Sequence, residues 1–212
     1  MSWPVRYLRS SIGAKHVMAV TGLLLLLFAI FHMAGHLQMF GGRAMYNAYA
    51  HFLQDLWEVK WPVRAGLLGL VVLHVALALS LVARNRAARP VGYAIVRHVR
   101  SRWVGRTMAL SGLVILAFII FHILHFTISP AYPEDAYTRY VMAFRQPLYY
   151  AIYFTGILLL SLHLGHGASS WLQSLGWRHP KYPADKIGPA IAVMLFVGYM
   201  IPPTAILLRV LP

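Results

Sequence analysis

The chain has 212 residues, 59% of them hydrophobic and only 11% charged, with a mean hydropathy of +0.63; a soluble domain carries about twice that share of charge, so an ordinary water-soluble fold is excluded. The absence of cysteine excludes disulfides, thiolate-bound zinc or iron–sulfur clusters and cysteine nucleophiles together. The net charge of +14 invites a nucleic-acid partner, but the cations are distributed by loop, which points to a membrane instead.

In chain order, residues 1–15 are basic and precede an apolar run, as in a signal peptide. The run is too long for that and lacks a small-residue cleavage site, so it is expected to be retained. Five apolar stretches follow, at 16–39, 62–83, 107–129, 147–172 and 187–210, each long enough to cross about 30 Å of hydrocarbon. The expected fold is an all-α integral membrane bundle of five transmembrane helices, forming one domain over 1–212. The connection 41–62 has Tyr46, Tyr49, Phe52 and Leu53 spaced as on a short helix at the interface. In the connection 129–147 and just beyond it, Tyr132, Tyr137, Tyr140 and Tyr149 read as an aromatic belt. The "IPPT" at 201–204 is expected to kink or end the last helix. No clear internal repeat stands out.

Arg6, Arg9 and Lys15, then Arg84, Arg86, Arg89, Arg97, Arg100, Arg102 and Arg106, then Arg178, Lys181 and Lys186, fall on one side of such a bundle. Arg43, Lys60, Arg64, Arg139, Arg145 and Arg209 fall on the other. The excess on the first side predicts a cytoplasmic N-terminus and an external C-terminus. Lipid headgroups account for much of the bias, and a basic face also suits a soluble partner. All five acids, Asp55, Glu58, Glu134, Asp135 and Asp185, lie in connections. A cation or proton transporter usually keeps a carboxylate at membrane depth, and this chain has none there.

The ionisable residues inside the spans are histidines: His32 and His36, His74, His122 and His125, His163 and His166. One transmembrane histidine alone is as well explained by a hydrogen bond to a neighbouring helix. Four helices each supplying one is another matter, because the depths agree in pairs. With about 1.5 Å of rise per residue, His32 and His122 both lie roughly 6 Å to the outer side of the midplane. His74 and His163 lie roughly 2 Å and 5 Å to the inner side. Two facing imidazoles at one depth suit the two axial positions of a haem iron, with the apolar macrocycle in the bundle core. Gly35, Gly112, Gly156, Gly165 and Gly167 would let a porphyrin approach the helix backbones, or serve ordinary helix packing. A zinc or copper site is the chemical competitor. His32 and His36 share a helix face, but histidines spread over several depths without carboxylates fit a metal cage poorly.

Four stretches carry a family likeness. "SSIGAKHVMAVTGLLLLLFAIFH", "MYNAYAHFLQDL", "RTMALSGLVILAFIIFHILHF" and "YYAIYFTGILLLSLHLGHGASSWLQSLGW" resemble the first span, the segment after it, and the third and fourth spans of one family. That family is the di-haem cytochrome b membrane anchor of succinate:quinone oxidoreductases (succinate dehydrogenase), a type also used by quinol:fumarate reductases. The resemblance covers nearly the whole chain. It implies two haem b groups with axial ligands at His32, His74, His122 and His163, paired His32 with His122 for the outer haem and His74 with His163 for the inner. It also implies flavoprotein and iron–sulfur partner subunits at the cytoplasmic face of a bacterial-type cytoplasmic membrane, and quinone, expected to be menaquinone, as electron acceptor. The chain holds no flavin motif or cluster ligands, so succinate chemistry would belong to its partners.

His36, His125 and His166 are then neighbours of the ligands. Some quinol:fumarate reductases have a glutamate after the first span; here that region reads "HFLQDL", with His51, Gln54 and Asp55. Two quinone sites are open. The outer one gathers His36, Gln38, Tyr46, His51 and Gln54, with Asp55 as proton acceptor. The inner one gathers Ser10, Ser11, Lys15, His98 and Trp103, which could equally bind haem propionates. The outer is favoured, because two haems in series make most sense if electrons cross the membrane. The di-haem cytochrome b of a membrane hydrogenase or formate dehydrogenase is the related alternative, and a histidine-based metal transporter the unrelated one.

Overall fold

A computed structural model describes residues 2–88, 91, 107–128, 135–177 and 184–211, with the backbone alone for Pro4, Leu8, Arg9, Ala184 and Asp185. His98, Trp103, Tyr132, Glu134, Arg178, Lys181 and most of the basic connection 84–106 lie outside the described residues.

Every described element is helical. The chain runs through α1 (Trp3–Arg9), α2 (Ser11–Leu37), a 3-10 turn (Gln38–Gly41), α3 (Gly42–Asp55) and α4 (Trp57–Ala87). It continues with α5 (Met108–Ile123), extended by a π-helical turn (Leu124–Ile128), then α6 (Ala136–Phe144), α7 (Pro147–Ser174) and α8 (Ala184–Leu207). Five segments are long and apolar enough to cross a membrane, and each expected span falls on one of them. Their outward faces keep large apolar side chains exposed, Phe31 at 72% and Leu110 at 67% among them. Helices solvated by hydrocarbon do this, since there the backbone must be satisfied internally and the side chains need not hide. The chain has the character of a multi-pass membrane protein.

Local sequence sets the boundaries. Ser10 caps α2, its hydroxyl accepting from the Gly13 N–H at 3.0 Å. Pro147 opens α7, where a missing N–H costs nothing. After α7, Gly176 takes φ 76°, and the Trp177 N–H returns to the Leu172 carbonyl at 2.8 Å, closing off the last turn. Helices α7 and α8 make the most extensive contact in the bundle. A Cβ on Gly165 would fall 2.6 Å from the Gly188 carbonyl oxygen and 2.7 Å from Ala192 Cβ, so only small residues permit this approach.

Three expectations change: one is corrected by the structure, one is narrowed by it, and one is corrected by the sequence once α2 and α5 are compared. Tyr137 and Tyr140 do not form a lipid-facing belt. They lie on α6, 7% and 5% exposed, inside a cluster with Tyr46, Phe144 and Tyr153. Asp135 caps α6 from the Thr138 N–H at 2.9 Å, and α6 packs on α3, α7 and α8. Folding inward in this way buries large rings that a loop would leave at the interface. Secondly, the two alternatives at Pro202 and Pro203 narrow to one: they do not end α8, which continues to Leu207. Both prolines are fully buried, the setting inside a helical bundle in which a membrane helix tolerates proline. Thirdly, there is an internal repeat. "MAVTGLLLLLFAIFH" (18–32) and "MALSGLVILAFIIFH" (108–122) align without a gap, on α2 and α5, and each ends in Phe-His.

Candidate functional site

The four histidines implied as ligands sit on four different helices: His32 on α2, His74 on α4, His122 on α5 and His163 on α7. All four are half-buried. Helix α4 packs on α2 and α5 packs on α7, while α4 and α7 make no extended contact.

In the His32 layer, the rings of His32 and His122 lie 5.9 Å apart, centre to centre, and nearly perpendicular at 77°. His36, one turn beyond His32, joins this group. Its Nε2 is 3.3 Å from Nε2 of His32, and its Nδ1 is 3.0 Å from the Tyr46 hydroxyl. Tyr153 serves the opposite side, its hydroxyl 3.3 Å from Nδ1 of His122 and 3.1 Å from Nδ1 of His125. His125 is 7% exposed, with the Tyr149 ring 4.3 Å away. Tyr140, at the edge of this group, is held as a neutral phenol. Burial raises its pKa well above the ordinary value, and the nearby Tyr46, Tyr153 and Tyr199 phenols raise it further.

The His74 layer is built differently. Thr21 on α2 places Oγ1 3.1 Å from Nδ1 of His74. Ser111 on α5 places Oγ 3.2 Å from Nδ1 of His163. Beside each hydroxyl is a glycine against the imidazole edge: a Cβ on Gly22 would lie 3.2 Å from His74 Cε1, and one on Gly112 3.3 Å from His163 Cε1. Each of these two histidines is thus seated on the neighbouring helix by one hydroxyl and one missing side chain. With Nδ1 occupied, Nε2 is the nitrogen left for a further partner.

Of the five glycines assigned to porphyrin approach, Gly112 touches a candidate ligand. A Cβ on Gly35 would lie 2.6 Å from the Tyr49 hydroxyl, and one on Gly156 2.4 Å from the Phe118 ring. Gly165 serves the contact with α8. Protein therefore fills the space beside these three. Gly167 has open space beside it.

The outer quinone set divides. His36 and Tyr46 are hydrogen-bonded to each other, and Gln38 is half-buried in the 3-10 turn between α2 and α3. His51 and Gln54 are exposed. His51 lies five residues after Tyr46, about 140° around α3, so one helix cannot present both to the same point. Asp55 is exposed at the C-terminal end of α3. Of the inner set, Ser10 is spent as a cap, and Ser11 and Lys15 are exposed. His16, near them, is hydrogen-bonded to the Tyr7 hydroxyl.

Sequence reading missed Thr21, Gly22, Ser111, Tyr153 and Arg139. The repeat at 18–32 and 108–122 was the available signal for the first three. Arg139 donates from Nη1 to the Phe126 carbonyl at 3.1 Å, and its buried Nε has no partner among the described residues. Among the described residues no group of three or more His, Asp or Glu is arranged to hold a metal ion. A haem iron asks less of the protein, one imidazole on each face. An all-imidazole donor set, an orphaned guanidinium nitrogen and glycine-seated rings fit that group. No family model matches the chain, and no curated protein or solved structure matches it either.

Proposed function

We propose that this chain is the di-haem cytochrome b anchor of a succinate:quinone oxidoreductase, holding one b haem between His32 and His122 and a second between His74 and His163. The observation that carries the reading is the facing pair His32 and His122, brought to 5.9 Å from helices α2 and α5 that are far apart in sequence. The seating of His74 and His163 by matched hydroxyls supports a second, equivalent pair. When bound, haem supplies one-electron chemistry between the soluble partners and quinone.

The chain's own residues bind and orient. Thr21, Ser111 and Tyr153 hold the imidazoles, and the buried Nε–H of Arg139 is a donor on a cationic guanidinium available to an acidic edge of the group. His36 and Tyr46 form the polar pair best placed to bond a quinone carbonyl and to carry its proton. The basic connection 84–106 is the proposed docking face for iron–sulfur and flavoprotein partners. Purification of the complex from membranes in mild detergent tests this. Co-purifying flavoprotein and iron–sulfur subunits, with succinate reducing a b-type absorbance, is the expected result. A haem-free chain, or one bound to hydrogenase or formate dehydrogenase subunits, overturns it.

A further inference from the structure

The repeated segments on α2 and α5 do more than present His32 and His122. In each, a hydroxyl stands eleven residues before the histidine, Thr21 before His32 and Ser111 before His122. Eleven residues bring a helix to within about 20° of its starting face, and about 16 Å along its axis. Each of these helices therefore presents on one face a histidine to one layer and a hydroxyl to the other.

What the hydroxyl does follows from counting protons. Thr21 Oγ1 is 3.0 Å from the Met18 carbonyl, and Ser111 Oγ is 3.1 Å from the Met108 carbonyl. A carbonyl only accepts, so the single hydroxyl proton is directed to it. The hydroxyl oxygen can then only accept from the imidazole, which must carry its proton on Nδ1. The adjacent glycine lets the ring come this close.

We infer that Thr21 and Ser111 are positioning residues that hold His74 and His163 in the Nδ1–H tautomer, present Nε2 as the ligand nitrogen, and lower the potential of the haem in that layer alone. The inference rests on the haem reading above. An imidazole whose N–H is bonded to an acceptor is the more electron-rich ligand, and an electron-rich ligand favours oxidised iron. The His32 layer is seated differently, and neither Thr21 nor Ser111 touches it: Nδ1 of His122 meets the Tyr153 phenol, which His125 shares, and Nε2 of His32 meets Nε2 of His36.

The test replaces each hydroxyl in the complete complex. Thr21 is 3% exposed, so the isosteric Thr21→Val fills the same space; Ser111→Ala is its counterpart, and Thr21→Ser and Ser111→Thr are the conservative controls. Redox titration of the haem absorbance should show one midpoint moved upward in Thr21→Val and Ser111→Ala. It should be the signal lost in His74→Ala, and the controls should return it. The other haem should not move. In parallel, nitrogen-15 resonances of labelled histidine in haem-free protein should show less Nδ1–H tautomer in the two variants. If wild-type protein holds haem but neither the midpoint nor the tautomer responds, the inference is overturned. If wild-type protein binds no haem, the proposed function fails, and the nitrogen-15 measurement still decides whether the hydroxyls set the tautomer.

Discussion

The Tyr46 hydroxyl lies 3.0 Å from Nδ1 of His36, tying the helix that follows the first span to the histidine layer inside it. His36 in turn reaches His32. Tyr46 is 7% exposed, so the pair is shielded from bulk water. Tyr46→Phe removes the hydroxyl and keeps the ring. Quinone reduction by the complex should fall on the order of tenfold, as when one functional hydrogen bond is lost, with haem content unchanged. His51→Ala and Gln54→Ala, on exposed positions, should leave the rate within about twofold of wild type, the size of a surface change. Turnover at the wild-type rate in Tyr46→Phe would remove this pair from quinone chemistry.

A second expectation concerns ligand assignment. His74→Ala leaves Thr21 without its imidazole and, on the proposed pairing, His163 without its fellow ligand. It should remove one of two haems and spare the other. His32→Ala should remove the complementary one. Loss of both signals in either variant, together with loss of the assembled complex, would mark a folding role and contradict independent pairs.

Asp135 clasps α6 to α3. Its carboxylate takes hydrogen bonds from Arg43 at 2.6 Å, Asn47 at 3.0 Å and the Thr138 N–H at 2.9 Å. Burial by itself pushes its pKa up, but the bonds from Thr138, Asn47 and Arg43 outweigh this and hold it well below the ordinary carboxylate range. With the folded value below the unfolded one, the clasp contributes fully above about pH 4. It is lost only as pH falls through the lowered folded value. The ion pair with Arg43 is largely exposed and adds little. Asp135→Ala should therefore cost about 1 kcal/mol, mainly through the cap, and equally at pH 7 and pH 5. Thermal unfolding in detergent at both pH values checks this; a difference that vanishes by pH 5 contradicts it.

The α7–α8 contact supplies a packing test. Gly165→Val would drive a side chain into the Gly188 carbonyl and Ala192. A cost of about 1–3 kcal/mol is expected for such overpacking, seen as a lower unfolding temperature. Gly167→Ala, with open space beside it, should change little.

How much of this was legible depended on what enforced it. The five spans could be read directly, because hydrocarbon demands about 20 apolar residues whatever the packing. That His32 and His122 lie close together was legible through depth arithmetic, which needs only helix rise. Tyr137 and Tyr140 were not legible: a short connection rich in tyrosine suits both an interface belt and an inward fold, and contact with Tyr46 and Phe144 decides between them. Gly35, Gly156 and Gly165 were equally ambiguous, since a missing side chain makes room for a ligand or a neighbouring helix alike. Thr21 and Ser111 were visible only in the alignment of 18–32 with 108–122, and their role only in three dimensions.

The most direct measurement is haem per chain in the purified, intact complex, by pyridine haemochrome against quantified protein. Four histidines on four helices, arranged in two layers, predict two b haems for each copy of this chain. A ratio of one or of zero would contradict the account.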